Sequence, residues 1–243
     1  MRFRRLPLVV AAAAALTVLS STAALASTVG YDVSYPQCAV ELPADAAFGI
    51  VGVSDGAAYG ENPCLASQYG WAAQATARPG FYMNTGNPGP AARRASWYDP
   101  TSPPMACGPD AEAGCAYDYG YNDARRAYDY ATSQVGRRPV QRATWWLDVE
   151  TANSWSADTA LNLAAIEGAV DFLSARVAGV GIYSTGYQWA VITGGAWLPW
   201  LPNWVAGAGD PDSAAALCRA SFTGGPVELV QYGLGGLDAD YAC

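Results

Sequence analysis

Short apolar runs of β composition recur along this chain, and alanine-rich stretches with helical spacing separate them. The runs are Val29 to Ser34, Phe48 to Ser54, Gly80 to Asn84, Trp145 to Glu150, Gly179 to Ser184, Asn203 to Ala206 and Val227 to Tyr232. The helical stretches are Ala66 to Ala77, Asp118 to Gln134 and Ala157 to Val177, the last opened by Ser156 as N-cap. Strands that alternate with helices form a largely parallel sheet, and this many of them predict a barrel. The expected fold is α/β, a (β/α) barrel of the TIM type. Most runs finish on a polar or aromatic residue: Asp32, Asp55, Asn84, Asp148, Glu150, Tyr183 and Gln231. Any one of these acids reads more simply as a cap or turn residue. Together they matter, because in a parallel barrel all strand C-termini meet at one rim.

Trp145-Trp146-Leu147-Asp148-Val149-Glu150 is the run with the most chemistry in it. Alternation puts Asp148 and Glu150 on one face, about 7 Å apart along the strand. Two acids behind an apolar run are costly unless they meet water, a partner or a substrate. A carboxylate pair at a strand end suits general acid/base work on a sugar. The plainer alternative is a structural pair bound to arginines or main-chain amides.

Composition narrows the choice. The chain has no His and no Lys. That excludes Ser-His-Asp and Cys-His centres, histidine zinc sites, lysine Schiff bases and a Walker A lysine. Asp, Glu and Tyr remain for proton transfer, and neither a cofactor nor a metal is expected. Gly233-Leu234-Gly235-Gly236 lacks the spacing of a phosphate loop and reads as a turn.

The first residues are basic (Arg2, Arg4, Arg5), Leu6 to Leu19 is apolar, and Ala24-Leu25-Ala26 resembles a cleavage site. Residues 1–26 therefore read as a signal peptide, too short in its apolar part for a span of roughly 20 residues. Residues 27–243 read as a single barrel domain, with 85–116 a long loop insertion rich in Gly, Pro and Ala. The expected location is secreted, extracellular or associated with a cell wall, with no membrane attachment after cleavage. Three of the 13 basic residues fall in the leader, leaving 10 against 21 acidic ones. Such a protein has no general attraction to nucleic acid or anionic lipid. The pairs Arg93-Arg94, Arg125-Arg126 and Arg137-Arg138 read as solvated faces, an anion site being the alternative.

Six cysteines follow the leader, and an even count in an exported chain predicts disulfides. The sequence alone leaves every pairing open. Locality favours Cys38 with Cys64, Cys107 with Cys115 and Cys218 with Cys243. A secreted redox protein is disfavoured, since no reactive cysteine motif is present.

Several of these segments, in order, resemble the glycoside hydrolase family 25 lysozymes (N-acetylmuramidases). Gly30-Tyr31-Asp32-Val33-Ser34 resembles the family's opening strand, and Leu147-Asp148-Val149-Glu150 its Asp-x-Glu motif. Gly80-Phe81-Tyr82, Ile182-Tyr183-Ser184 and Asn203-Trp204-Val205-Ala206 match its intermediate strands. Val230-Gln231-Tyr232 with Leu237-Asp238-Ala239-Asp240 resembles its end. The resemblance implies an irregular, incomplete TIM-type (β/α) barrel with fewer helices than strands, and a catalytic cluster of Asp32, Asp148, Glu150 and Asp238. It implies Glu150 as proton donor, and Asp148 as the neighbour that orients a substrate N-acetyl group or supports the reacting centre. We expect Asp148 to be the ionised partner of the two. Asp55, Tyr82, Tyr183, Trp204 and Gln231 are expected to bind substrate, with Tyr82, Tyr183 and Trp204 as sugar-stacking walls. The departures are Ser54-Asp55-Gly56 in place of Thr-Glu-Gly, Met83 and Asn84 where a His often follows, the 85–116 insertion and the cysteines. The function so implied is a secreted, monomeric glycoside hydrolase acting on a polysaccharide, peptidoglycan or a related glycan. A non-catalytic barrel that binds glycan or protein is the alternative.

Overall fold

The computed structural model describes residues 29–89, 103–108 and 110–243. The leader expected over 1–26, and much of the loop expected over 85–116, lie outside the described residues. The strands are β1 (Val29–Val33), β2 (Gly49–Gly52), β3 (Gly80–Asn84), β4 (Thr144–Asp148), β5 (Gly179–Ser184), β6 (Asn203–Ala208), β7 (Val227–Leu234) and β8 (Leu237–Ala242). The helices are α1 (Leu65–Ala72), α2 (Glu112–Val135), α3 (Arg137–Arg142), α4 (Thr159–Ser174), α5 (Gly186–Thr193) and α6 (Pro211–Leu217). The strands close into a barrel in sequence order. β1 to β7 run parallel, and β8 is antiparallel to both β7 and β1.

Alternation sorts each strand into two faces. Outward residues such as Phe81, Met83, Trp145, Leu147 and Ile182 are fully buried under the helices. Inward residues Ile50, Trp146 and Trp204 pack with Phe48, Tyr82, Tyr183 and Leu229 into a second cluster that fills the barrel. Such large rings fit because glycines face them. A β-carbon at Gly30 would stand 2.1 Å from the Phe48 ring, and one at Gly181 would stand 2.2 Å from Trp146. On the outside, α2 and α4 cross with backbones nearly touching, since a β-carbon at Gly120 would lie 1.8 Å from the Ala165 carbonyl oxygen.

Several boundaries differ from those expected. α2 begins at Glu112, so the last residues of the 85–116 segment are helix rather than loop. Asp118 ties this end down by accepting from the Ala106 and Cys107 amides at 2.9 Å each. The N-cap of α4 is Asp158, not Ser156; its carboxylate accepts from the Ala160 and Leu161 amides. Ser156 instead accepts the Asp158 amide. β8 and the short helices α3, α5 and α6 were not anticipated. Disulfides join Cys38 to Cys64, Cys107 to Cys115 and Cys218 to Cys243. The last fixes the end of β8 to the C-cap of α6.

Candidate functional site

The strand C-termini gather the acids at one end of the barrel. Asp32 on β1 stands beside Asp238 on β8 in register. Asp148 ends β4, opposite Asn84 on β3 and Tyr183 on β5. Glu150 follows two residues later, half-exposed. The four acids sense one another: Asp32 feels Asp238 and Glu150, and Asp148 feels Glu150 and Asp32. No basic side chain figures among the influences on these groups.

Asp32 is 6% exposed and accepts from Gln231 Nε2 at 2.8 Å. Gln231 in turn accepts the Tyr183 hydroxyl at 2.7 Å. Burial is the main force on Asp32 and, with its acidic neighbours, outweighs the Gln231 bond, lifting its pKa to about 8. Asp148 accepts from Asn84 Nδ2, and its main-chain carbonyl accepts from Asn153 Nδ2 at 3.1 Å. Burial, then the charge of Glu150, pushes Asp148 far above the usual carboxylate range. This overturns the expectation that Asp148 is the ionised partner: burial and the neighbouring acids favour the neutral carboxyl. Asp238 is the most open of the four, and partial desolvation raises it.

Glu150 is placed by α5. Gln188 Nε2 donates to Glu150 Oε1 at 3.1 Å. The Gln188 amide oxygen is fixed by the Thr151 amide at 2.6 Å and the Thr151 hydroxyl at 2.9 Å. Gln188 carried no signal in the sequence, because α5 itself was unforeseen. Asn84 and Asn153 were likewise missed as site residues.

Asp240 was missed although its signal was available: it repeats Asp238 two residues on, the same alternation that singled out Asp148 and Glu150. It is completely buried inside the barrel, opposite Gly30 and Gln231. Its oxygens make no hydrogen bond of normal geometry. Burial raises its pKa well above the ordinary value, and the charge of Asp32 adds to this; the nearby Trp204 indole offsets it only in part.

The expected substrate-binding residues divide. Gln231 joins the acid cluster through its bond to Asp32, and Tyr183 through its bond to Gln231. Trp204 is 1% exposed and offers no face to a sugar. It is the centre of the inner aromatic cluster, with ring centroids 4.6 Å from Tyr183, 5.8 Å from Trp146 and 6.0 Å from Tyr82. It was misread because an exposed stacking residue and a barrel-filling one have the same strand signature. Tyr82 belongs to that cluster too, as an edge-on partner of Trp204 rather than an open wall. Asp55 sits on the exposed loop after β2, its carboxylate against Gly60.

Proton retention gives a measurable consequence. Asp32 and, on α2, the buried Asp123 both have a pKa of about 8, against an ordinary 3.8. The folded protein holds these protons while the unfolded chain releases them near its ordinary value. Their stabilisation is therefore complete below about pH 4 and is lost as pH rises through 8. Melting temperature is expected to fall between pH 4.5 and 8, and Asp123→Asn, which keeps an acceptor for the Tyr59 amide, to flatten that fall. A flat wild-type profile would contradict the assignment.

Comparison with known proteins adds to this geometry. A family model described as lysozyme-like protein 1 matches residues 116–204, from α2 into β6. A probable GH family 25 lysozyme 4 from Dictyostelium discoideum is 39% identical over 64 residues, which cover 24% of this chain and 30% of that protein. The GH25 lysozyme of Aspergillus fumigatus superposes with a TM-score of 0.59 at 16% identity, over 88% of this chain and 93% of the other. A bacterial lysozyme from Streptomyces coelicolor gives 0.56 at 20% identity, over 88% and 91%. A muramidase from Trichobolus zukalii gives 0.55 at 17%, over 89% and 94%. The middle of the sequence, residues 116–204, is thus similar to a lysozyme-like family model, and the barrel has the fold of the solved GH25 lysozymes.

Proposed function

We propose that this protein is a secreted glycoside hydrolase that cleaves the glycan of peptidoglycan, with Glu150 as general acid. The observation that carries the reading is the acid cluster at the strand C-termini. Glu150 is half-open to solvent and oriented by Gln188, above buried Asp148 and Asp32 that retain protons. A carboxylic acid at the rim donates its proton to the glycosidic oxygen as the bond to the anomeric carbon breaks. Asp238, the most open acid, stands on the far side of Asp32 to balance the positive charge that develops on the sugar. Asp148 has a different task from that of an ion. As a neutral acid pinned by Asn84, it can donate a hydrogen bond, as an acetamido carbonyl requires. The family likeness, the three disulfides and the basic, apolar N-terminal sequence support an exported muramidase.

The direct test is product analysis after incubation with peptidoglycan, chitin and other β-glycans. New reducing ends from peptidoglycan are expected, with activity favouring acidic to neutral pH. Binding of glycan without any new reducing end would replace this reading with that of a non-catalytic glycan-binding barrel.

A further inference from the structure

At the end of the barrel opposite the acids, a pocket of about 280 Å³ opens between α3 and the segment before β3. Pro79 and Ala143 line it and immediately precede the first residues of β3 and β4, whereas the acids gather where the strands finish. A five-residue strand such as β3 separates the two ends by roughly 15 Å, so the pocket is no part of the acid site. Its walls carry Arg78, Arg138 and Arg142, together with Tyr69 of α1 and Pro139. The pair Arg137-Arg138 thus divides: Arg138 lines a pocket and Arg137 does not.

These three cations stand apart from the rest of the chain. Beyond residue 26, 21 acids face 10 arginines, yet none of the three forms an ion pair among the described residues, as Arg126 does with Glu61. Arg138 and Arg142 lie four residues apart on one face of α3, where like charges repel. Arg78 reaches the same pocket from a distant part of the chain. The backbone that presents them is pinned. Val140 is completely buried, and its carbonyl accepts the Trp145 indole at 3.3 Å. The Ala143 carbonyl accepts the Ala178 amide at 3.2 Å. On the other wall the Ala77 amide donates to the Ala47 carbonyl at 3.1 Å, and Pro79 restricts the backbone of Arg78. The Tyr69 ring stacks on Phe81, centroids 5.7 Å apart. Exposed arginines are therefore carried by fixed supports.

We infer that this pocket binds a phosphate group, with Arg78, Arg138 and Arg142 donating to its oxygens. A guanidinium free of an acid partner offers planar, two-pronged donors matched to an oxyanion. One arginine satisfies a carboxylate. Three suit a group with at least three acceptor oxygens and more than one charge. An anion held there also offsets the repulsion between Arg138 and Arg142. The volume lies just below the small-ligand range of roughly 300–1,000 Å³, room for one phosphate on a short attachment. An extended polyanion is disfavoured, because acids outnumber arginines over the rest of the chain and repel it. The occupant is thus a small phosphate, free or as a monoester, rather than a nucleic acid or an anionic membrane. The site stands whether or not the rim acids hydrolyse a glycan.

The test titrates inorganic phosphate, and separately glycerol 3-phosphate, into the intact protein, with sodium chloride holding ionic strength constant. NMR is expected to show saturable shifts at Arg78, Arg138 and Arg142. Melting temperature should rise with either phosphate, since a ligand of the folded state stabilises it. Arg138→Gln and Arg142→Gln should each weaken binding about tenfold, the usual loss for a charged hydrogen bond. Arg142→Lys keeps the charge without the planar fork and should retain part of the affinity. Arg219→Gln, on an exposed arginine outside the pocket, should retain all of it. Melting in chloride alone checks that each variant is folded. Absence of saturable binding, or wild-type binding in both Gln variants, overturns the site. Binding confined to duplex DNA or to phosphatidylglycerol vesicles, with no response to either small phosphate, overturns it as well.

Discussion

Glu150→Gln is expected to lower turnover of peptidoglycan by roughly 10²–10⁴-fold, the usual contribution of a general acid, while glycan binding persists. The substitution keeps size and hydrogen-bonding shape. The new amide oxygen can still accept from Gln188 Nε2, which Thr151 holds in place from the other side. What disappears is the proton. Asp148 does not stand in for it, because Asn84 holds its carboxyl in the place proposed for the acetamido group rather than at the glycosidic oxygen. Reducing-end release and glycan binding measured side by side give the answer. Turnover equal to wild type in Glu150→Gln would remove the catalytic assignment.

Trp204→Ala should cost about 3–5 kcal/mol of stability, the range for deleting a large buried aromatic side chain. Trp204 is wedged among Tyr82, Trp146 and Tyr183 inside the barrel, and deleting it leaves a cavity that the surrounding strands cannot close. The same change separates two roles that look alike in the sequence. A sugar-stacking Trp would lower glycan affinity with little loss of stability; a barrel-filling one does the reverse. Denaturant unfolding and glycan binding on the same preparation distinguish them. Wild-type stability with lost binding would return Trp204 to the binding surface.

The barrel was legible because its signals are local. Each strand is a short apolar run, and period-two alternation marks Asp148 and Glu150 as neighbours on one face without knowledge of any other strand. The rim position of Asp32 followed from the rule that parallel strands end together; Asp238 came only from the family resemblance, and it joins the rim because antiparallel β8 begins there, beside β1. The cysteine pairing followed locality because each bond closes a short excursion. β8 escaped notice because its antiparallel return after the tight Gly235-Gly236 turn breaks the strand–helix rhythm that revealed the others.

What the sequence by itself determined is the inventory: a βα barrel, carboxyls as its only proton-transfer groups besides tyrosine, and acids at strand ends. The tertiary structure alone decided what each group is. Whether Trp204 stacks on a sugar or fills the barrel depends on which residues face it across β3, β4 and β5. Whether Asp148 is an ion or an acid depends on the burial and the acidic neighbours that segments distant in sequence provide. Burial likewise makes Asp240 a hidden acid, and the fold brings Arg78, Arg138 and Arg142 to one pocket. Alternation and propensity act over a few residues; burial and electrostatic environment are sums over the whole fold, and no local pattern contains them.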